Sequence, residues 1–291
     1  MIRSNWFFTP LALFIWIPVF LIGVFSLQHD GLSKQLALSA TTPTSPTPVI
    51  TTIPVLTTDT FRVFDVTSEA VIISSNETAI VPIASVAKIF AGATIVSDLD
   101  LHATTTITWS DLAAEGDAGK LSYGEEYSYQ ELLFPLLLES SNDAAETINR
   151  SAGNTLLSSM NAMSKDVGAL DTVFTDPSGF NDNTVSTAQD LQLLLTSVYK
   201  NQPHIFDITV LPQYIGTQTG WMNNNPFVGD EGYRGGKHGY TTAAGRTAVA
   251  IFVEEINGRT FTVGYIILGS TNLKADMKKL RDSVKNSATE N

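Results

Sequence analysis

Apolar and polar positions follow three successive patterns in the folded part of this chain. Residues 61–66 and 70–74 are short β-rich runs, and the turn signal between them predicts a hairpin. Helical spacing then predominates over five segments. These are residues 85–97, 129–138, 143–151, 156–167 and 187–199. Strand-like runs return at residues 247–256 and 260–270, joined by an Asn-Gly pair that is typical of a tight hairpin turn.

Strands at both ends of the chain, with helices between them, predict a mixed α/β fold of the α+β kind. We expect the two chain ends to complete one antiparallel sheet flanked by helices, with an inserted and mostly helical subdomain. The last helix should pack one apolar face on the sheet. That face carries Leu273, Met277, Leu280 and Val284. We assign residues 59–291 to this single folded domain, since their number is enough to bury a large core.

The beginning of the chain has a different pattern. Residues 6–27 form an uncharged run of 22 residues, and a helix rising ~1.5 Å per residue would span roughly 30 Å, the thickness of a bilayer core. A cleavable signal has an apolar stretch of only about 7–15 residues, and the nearest cleavage site is at residues 37–40. We therefore predict that residues 1–28 are an N-terminal transmembrane anchor, with a cleaved signal as the alternative. Arg3 favours a cytoplasmic N-terminus.

Composition restricts the partners of the domain. Residues 29–58 are predicted to be a linker, because the stretch 41–60 is rich in threonine and proline and nearly uncharged. The formal net charge of −12 disfavours binding to nucleic acid. The chain has no cysteine and only four scattered histidines, so we expect no metal site and no cofactor.

Three short motifs carry reactive side chains. They are Ser85-Val86-Ala87-Lys88, Ser140-Ser141-Asn142 and Lys237-His238-Gly239. Ser85 and Lys88 are three residues apart and so share one face of a predicted helix that is otherwise apolar. Desolvation there favours the neutral amine of Lys88, which can then take the proton of the Ser85 hydroxyl. This pair favours a serine nucleophile that does not need histidine; the alternative is a serine at a helix start beside a lysine that pairs with a carboxylate.

The three motifs together resemble those of the low-molecular-mass penicillin-binding D-alanyl-D-alanine carboxypeptidases, which are relatives of the class A β-lactamases. The resemblance covers residues 59–287. It also includes the segments YGEEYSYQELLFPLLLESSNDAAETI, DPSGFNDNTVSTAQDL and NNNPFVGDEGYRGGKHGYTTAAG. It implies a β-lactamase/transpeptidase-like fold and a serine-type D-Ala-D-Ala carboxypeptidase or endopeptidase.

The resemblance also implies a role for each catalytic residue. Ser85 would be the acylated nucleophile and Lys88 its general base. Ser140 would relay a proton to the leaving amine, and Asn142 would orient Lys88 and the substrate amide. Pro177-Ser178-Gly179 is better interpreted as a tight turn than as a source of a catalytic serine.

The third motif would bind the substrate. The residues implied in this role are Lys237, His238, Gly239 and Thr241. The oxyanion would be held by the backbone N–H of Ser85 with that of Tyr240 or Thr241. His238 stands where the family has threonine, and we expect its imidazole to make carboxylate binding pH-dependent between about pH 5 and 8.

The implied partners are the D-Ala-D-Ala ends of peptidoglycan stem peptides, with β-lactams as covalent inhibitors. The catalytic domain would then lie outside the cytoplasmic membrane, held by a single membrane pass. A catalytically degenerate relative that only binds peptidoglycan or a partner is the alternative, because His238 departs from the motif. A β-lactamase is disfavoured because no Glu-x-x-Leu-Asn segment follows Asn142.

Overall fold

The structure is a computed structural model that describes residues 48–50, 53–117 and 119–289. The strands are β1 (Pro48–Val49), β2 (Thr60–Asp65), β3 (Val71–Ser75), β4 (Val81–Pro82), β5 (Thr104–Thr106), β6 (Glu126–Ser128), β7 (Val185–Ser186), β8 (Gln213–Ile215), β9 (Gly220–Met222), β10 (Tyr233–Thr241), β11 (Gly245–Ile256), β12 (Arg259–Ser270) and β13 (Ala288–Thr289). The α-helices are α1 (Ala87–Asp98), α2 (Tyr129–Phe134), α3 (Asn142–Ser151), α4 (Leu156–Asp166), α5 (Ala188–Asn201), α6 (His204–Thr209) and α7 (Leu273–Lys285).

The main sheet has five antiparallel strands in the order β10-β11-β12-β2-β3. Its strands come from both ends of the described chain, which confirms the predicted architecture. The hairpin between β11 and β12 closes at Asn257 and Gly258, whose φ angles are 52° and 74°. Positive φ at both turn residues suits the Asn-Gly pair, and it matches the right-handed twist of the flanking strands.

The sheet separates two hydrophobic cores, because successive side chains of a strand point to opposite faces. Val249 and Ile251 of β11 pack into the core formed with α1, α2, α3 and α5. Ala248 and Ala250 face the other core, where α7 buries the four apolar residues of its predicted face. Burying each such large side chain contributes about 1.5–3 kcal/mol.

Helix α1 lies at the centre of the larger core. Every residue from 87 to 95 is buried, including the charged Lys88. The predicted helix at residues 85–97 therefore exists, but its first turn is a 3-10 turn at Ala84–Val86. That turn places Ser85 half-buried at the head of the helix, where it borders β10 and β11.

Part of the predicted linker is held against the domain. Strand β1 pairs with β13, and Thr57 donates from its backbone N–H to Asp276 Oδ1 at 2.9 Å. The Thr57 hydroxyl also donates to Asp276 Oδ2 at 2.5 Å. Residues 53–58 thus run beside the N-terminal end of α7.

Within residues 48–50, 53–117 and 119–289, no helix is both long and apolar enough to cross a bilayer. The predicted anchor at residues 1–28 lies outside the described residues and stays a prediction.

Candidate active site

The predicted nucleophile and base are in direct contact. The amine Nζ of Lys88 donates to the Ser85 hydroxyl oxygen at 2.9 Å. It also donates to the backbone carbonyl of Ser178 at 2.8 Å. Ala84, just before the nucleophile, has a φ of 49°, a left-handed conformation that costs a non-glycine residue free energy. Such strain next to a reactive side chain is characteristic of an active site.

Burial changes the protonation of Lys88. The side chain is completely inaccessible to solvent, and this desolvation, helped by the charge of Lys237, lowers the pKa of Lys88 well below its usual value. The carboxylates of Asp176 and Asp117 raise it in part. A lysine that loses its proton readily is the kind of base that a serine hydroxyl needs.

The Pro177-Ser178-Gly179 turn forms one side of the site. Asp176 Oδ2 accepts hydrogen bonds from the Ser178 hydroxyl at 2.5 Å and from the Phe180 N–H at 2.9 Å. Gly179 has a φ of 74°, and a Cβ there would collide with the carbonyl oxygen of Ala84. Ser178 therefore serves through its carbonyl, which binds Lys88, and its hydroxyl stabilises the turn.

The Ser-Ser-Asn motif forms the opposite side. A π-helical turn at Pro135–Glu139 ends at Ser140, which has a left-handed φ of 67°. Ser141 caps α3 by accepting from the N–H of Ala144 at 3.0 Å. π-helical turns are often found at functional sites, and this one presents Ser140 just before α3 begins.

Asn142 is held in place by backbone carbonyls of residues 115–117. Its backbone N–H donates to the carbonyl of Asp117 at 2.7 Å. Its side-chain amide donates to the carbonyl of Glu115. The N–H group of this amide holds the wall of the site, and its predicted role in orienting Lys88 and the substrate stays a prediction.

Strand β10 carries the third motif along the edge of the main sheet. Lys237 is buried, and its Nζ donates to the carbonyl of His238 at 2.7 Å. Desolvation lowers the pKa of Lys237 to about 7, although Asp117 raises it in part. Lys237 therefore carries a positive charge over only part of the physiological pH range.

His238 is also poorly solvated. Desolvation, together with the charges of Lys237, Arg246 and Lys88, lowers the pKa of His238 to about 3. Among the described residues no partner binds its buried Nδ1 atom. Without substrate the imidazole is therefore neutral between pH 5 and 8, and the pH-dependent carboxylate binding expected from the sequence stays a prediction.

Gly239 permits the close approach of β10 to the nucleophile. A Cβ at this position would lie 2.5 Å from the backbone nitrogen of Ser85. The Thr247 hydroxyl on the adjacent strand donates to the carbonyl of Ile83 at 2.8 Å and so fixes the same turn. Thr241 accepts from the N–H of Ala244 at 3.1 Å and stabilises the turn after β10.

A groove of about 180 Å³ runs between the two walls of the site. Glu115 and Asn142 line one side, and Asp176, Ser178 and Phe180 line the other. The groove borders Ser178, whose carbonyl accepts the hydrogen bond from Lys88.

Three residues in and around the site were missed from the sequence. Asp176 was detectable, because an aspartate before a Pro-Ser-Gly turn commonly accepts hydrogen bonds from the turn. Asp117 raises the pKa of Lys88 and Lys237, which are distant from it in sequence. Thr247 donates a hydrogen bond to Ile83, which is also distant in sequence. No local pattern marks either of them.

Comparison with known proteins agrees with this geometry. The family model for D-alanyl-D-alanine carboxypeptidases matches residues 47–265. The chain is 32% identical over 205 residues to the D-alanyl-D-alanine carboxypeptidase DacB2 of Mycobacterium tuberculosis, covering 65% of this chain and 68% of that protein. It is 28% identical over 222 residues to a D-alanyl-D-alanine endopeptidase of Haemophilus influenzae, covering 73% and 75% of the two chains.

Solved structures share the fold. A crystal structure of a D-alanyl-D-alanine carboxypeptidase from Mycobacterium tuberculosis superposes with a TM-score of 0.72 at 27% identity, covering 84% of this chain and 98% of that one. Penicillin-binding protein D2 from Listeria monocytogenes, in its cefotaxime-bound form, has the same fold, with a TM-score of 0.71 at 23% identity and coverage of 80% and 99%. Fold and site define a serine hydrolase of the penicillin-binding type. The chain belongs to the D-alanyl-D-alanine carboxypeptidase family.

Proposed function

We propose that this enzyme removes the terminal D-alanine from peptidoglycan stem peptides, as a DD-carboxypeptidase that acts through an acyl-enzyme on Ser85. The observation that carries the proposal is the 2.9 Å contact between Lys88 Nζ and Ser85 Oγ, where the 3-10 turn at Ala84–Val86 leads into the buried helix α1. Cleavage of a crosslink between two stems, as an endopeptidase, uses the same chemistry and is the second candidate. The similarity to the D-alanyl-D-alanine endopeptidase of Haemophilus influenzae supports this second candidate.

Acylation begins at the carbonyl of the penultimate D-alanine. Ser85 Oγ attacks this carbon while the neutral amine of Lys88 takes the hydroxyl proton. The peptide bond then breaks, and the proton held by Lys88 passes through the Ser140 hydroxyl to the nitrogen of the leaving D-alanine, which leaves Lys88 neutral again. A water molecule later adds to the ester, and Lys88 takes its proton and returns it to Ser85 Oγ as the acid is released.

The third motif stabilises the two negative charges of the substrate. The backbone N–H of Ser85, with that of Tyr240 or Thr241, donates to the developing oxyanion. Lys237 and the neutral imidazole of His238 bind the terminal carboxylate, by charge and by one hydrogen bond respectively. Gly239 allows β10 to approach closely enough to bind both the oxyanion and the terminal carboxylate.

A penicillin tests the acylation step, because a β-lactam would acylate the same serine. Intact-protein mass spectrometry should show one adduct on the wild-type chain and none on Ser85→Ala. Lys88→Ala should also abolish the adduct, since the hydroxyl loses its base. The adduct should be long-lived, because the chain lacks the Glu-x-x-Leu-Asn segment that speeds deacylation in β-lactamases.

The matched control is Ser158→Ala, an exposed serine on α4 whose hydroxyl donates to the carbonyl of Thr155 at 2.6 Å. This variant should acylate at the wild-type rate. An adduct on any residue other than Ser85 would rule out the mechanism. Acylation without release of D-alanine from a stem peptide would instead favour the catalytically degenerate, binding-only alternative.

We also propose that the domain is extracytoplasmic and tethered by residues 6–27. The uncharged run of 22 residues supports this, and so does a substrate class that lies outside the membrane. Carbonate extraction of membranes should leave the protein in the pellet with an intact N-terminus. Recovery of a soluble form beginning near residue 41 would establish a cleaved signal instead.

A further inference from the structure

Two large aromatic side chains are stacked on the surface away from the catalytic residues. The rings of Trp109 and Tyr123 have centroids 4.5 Å apart and planes 9° from parallel. They are 68% and 56% exposed, respectively. Apolar surface of this size, concentrated in one place and left in water, marks a binding site more often than a scattered hydrophobic residue does.

The pair is built on a rigid part of the fold. It lies where the hairpin of β5 and β6 ends, and the two backbones are joined there by hydrogen bonds from Ile107 N–H to the Glu125 carbonyl at 2.8 Å and from Gly124 N–H to the Ile107 carbonyl at 3.0 Å. The two backbones are therefore fixed relative to each other, and the rings stack on one another without a ligand. Preorganised aromatic side chains contribute contact area at a low cost in conformational entropy.

Polar groups beside the rings suit a neutral, hydroxyl-bearing ligand. The hydroxyls of Thr108 and Ser110, which flank Trp109, lie 2.8 Å apart. A pyranose ring offers a flat C–H face to the negative face of an aromatic ring and hydroxyls to such a rim. The net charge of −12 disfavours an anionic polymer as the ligand.

The aromatic pair lies on the chain segment that leads to the catalytic groove. Six residue steps separate Trp109 from Glu115, whose carbonyl binds Asn142, so the two lie at most about 20 Å apart. A five-residue stem peptide spans at most about 17 Å when extended, a length of the same order. A sugar polymer that carries such peptides has the dimensions to contact both the aromatic pair and this wall of the groove.

We propose that Trp109 and Tyr123 form a glycan platform, which binds sugar rings of the peptidoglycan strand whose stem peptide enters the active site. This inference rests on the proposed function for its ligand. The platform recognises the polymer, whereas the Ser-Lys site recognises the peptide end. Activity on polymeric substrate should therefore depend on the platform, and activity on a free peptide should not.

The test compares the full-length wild type with Trp109→Ala, Tyr123→Ala and the double variant in detergent. Neutral chitooligosaccharides, whose N-acetylated pyranose rings lack the charged lactyl groups of peptide-free peptidoglycan, are titrated by fluorescence. The single variants should bind about tenfold more weakly, as expected for the loss of one aromatic contact worth about 1.4 kcal/mol. KM on polymeric peptidoglycan should rise by a similar factor, and Trp109→Phe should keep most of the affinity.

The value of kcat/KM on a soluble D-Ala-D-Ala peptide and the rate of penicillin acylation should stay within twofold of wild type. Leu170→Ala, which removes another strongly exposed apolar side chain, is the matched control and should change nothing. Unchanged glycan affinity in the double variant would overturn the platform. An equal loss on soluble peptide would also overturn it, since the pair would then be supporting the active site.

Two further outcomes are informative. The first separates a glycan platform from a surface that binds a membrane or a second copy, and the second separates the platform from the peptidase activity. If the variants lose vesicle binding or change oligomeric state while glycan affinity is kept, the pair serves a membrane or a second copy, and the proposal is wrong. If wild type binds glycan through Trp109 but does not cleave either substrate, the platform stands and the proposed peptidase function fails.

Discussion

Two buried lysines carry out opposite tasks in this site. Lys88 must be neutral to accept a proton, whereas Lys237 must be charged to attract a carboxylate. Burial lowers the pKa of both. The carboxylate of Asp117 raises the pKa of both lysines in part. One difference separates them, because the charge of Lys237 further lowers the pKa of Lys88. The free enzyme is most competent at a pH where Lys88 has lost its proton and Lys237 has kept it.

Replacement of Lys237 tests this division. The pKa of Lys237 is about 7, so its charge is present below pH 7 and is lost above it. We expect kcat/KM on a D-Ala-D-Ala peptide to fall on the alkaline side of about pH 7. Lys237→Arg keeps its charge at every working pH, and this limb should then move to higher pH even if the absolute rate drops. An alkaline limb that stays in place would show that another group controls it.

His238 is expected to act without changing its charge. Because burial and neighbouring cations lower the pKa of His238 to about 3, its imidazole stays neutral from pH 5 to 8. His238→Thr should therefore change KM, through the size and geometry of the hydrogen-bonding group, while the pH limbs keep their positions. The measurement is the pH profile of kcat/KM for wild type and for His238→Thr. A limb between pH 5 and 8 that disappears in His238→Thr would show that the imidazole titrates in the working enzyme.

At the scale of elements, the sequence predicted what is local and missed what depends on distant contacts. The Ser-x-x-Lys spacing on an apolar helix and the Asn-Gly hairpin are local signals, and both were correct. The left-handed Ala84 was not predictable, because its conformation is enforced by Gly179 and Thr247, which lie about 95 and 163 residues further along the chain. The short strands β4 to β9 were also missed, since runs of two or three residues carry no periodicity.

The close approach of β10 to the nucleophile makes Gly239 a sensitive position for catalysis. Gly239→Ala would place a Cβ 2.5 Å from the Ser85 nitrogen and 3.0 Å from the Ala84 Cβ. The strand must then move away, and the oxyanion loses a well-placed donor, which costs about 10²–10³ in rate. Stopped-flow acylation by a chromogenic β-lactam measures this effect.

Gly92→Ala on α1 is the matched control. Its Cβ would make ordinary contacts at 3.4 Å with Leu137, so the acylation rate should stay near that of wild type. Equal rates for wild type and Gly239→Ala would mean that β10 does not supply the oxyanion donor.

At the scale of the whole molecule, the last residues of the predicted linker connect the start of the domain to its last helix, α7. Threonine- and proline-rich composition indicates an extended chain, but it does not reveal what the chain binds. Thr57 accepts at its hydroxyl oxygen from the N–H groups of Thr271 and Asn272 at 3.1 Å. It donates to Asp276, which is fully buried in the first turn of α7. One side chain thus fastens the incoming segment to the last helix.

Thr57→Val isolates this fastening, because valine keeps the branched shape and removes the hydroxyl. Asp276 then loses one donor, the Thr271 N–H loses its acceptor, and the Asn272 N–H keeps only Ser270 Oγ. A hydrogen bond to a charged group contributes about 1.5–3 kcal/mol, so the free energy of unfolding in urea should fall by about 2–3 kcal/mol.

Thr57→Ser retains the hydroxyl and should lose less than about 1 kcal/mol, the scale of a buried methyl group. Penicillin acylation of the folded Thr57→Val protein should proceed at the wild-type rate, since Thr57 lies beside α7 and not among the catalytic residues. If Thr57→Val is as stable as wild type, residues 53–58 do not contribute to the folded domain in solution, and the linker extends to residue 58 as its composition suggests.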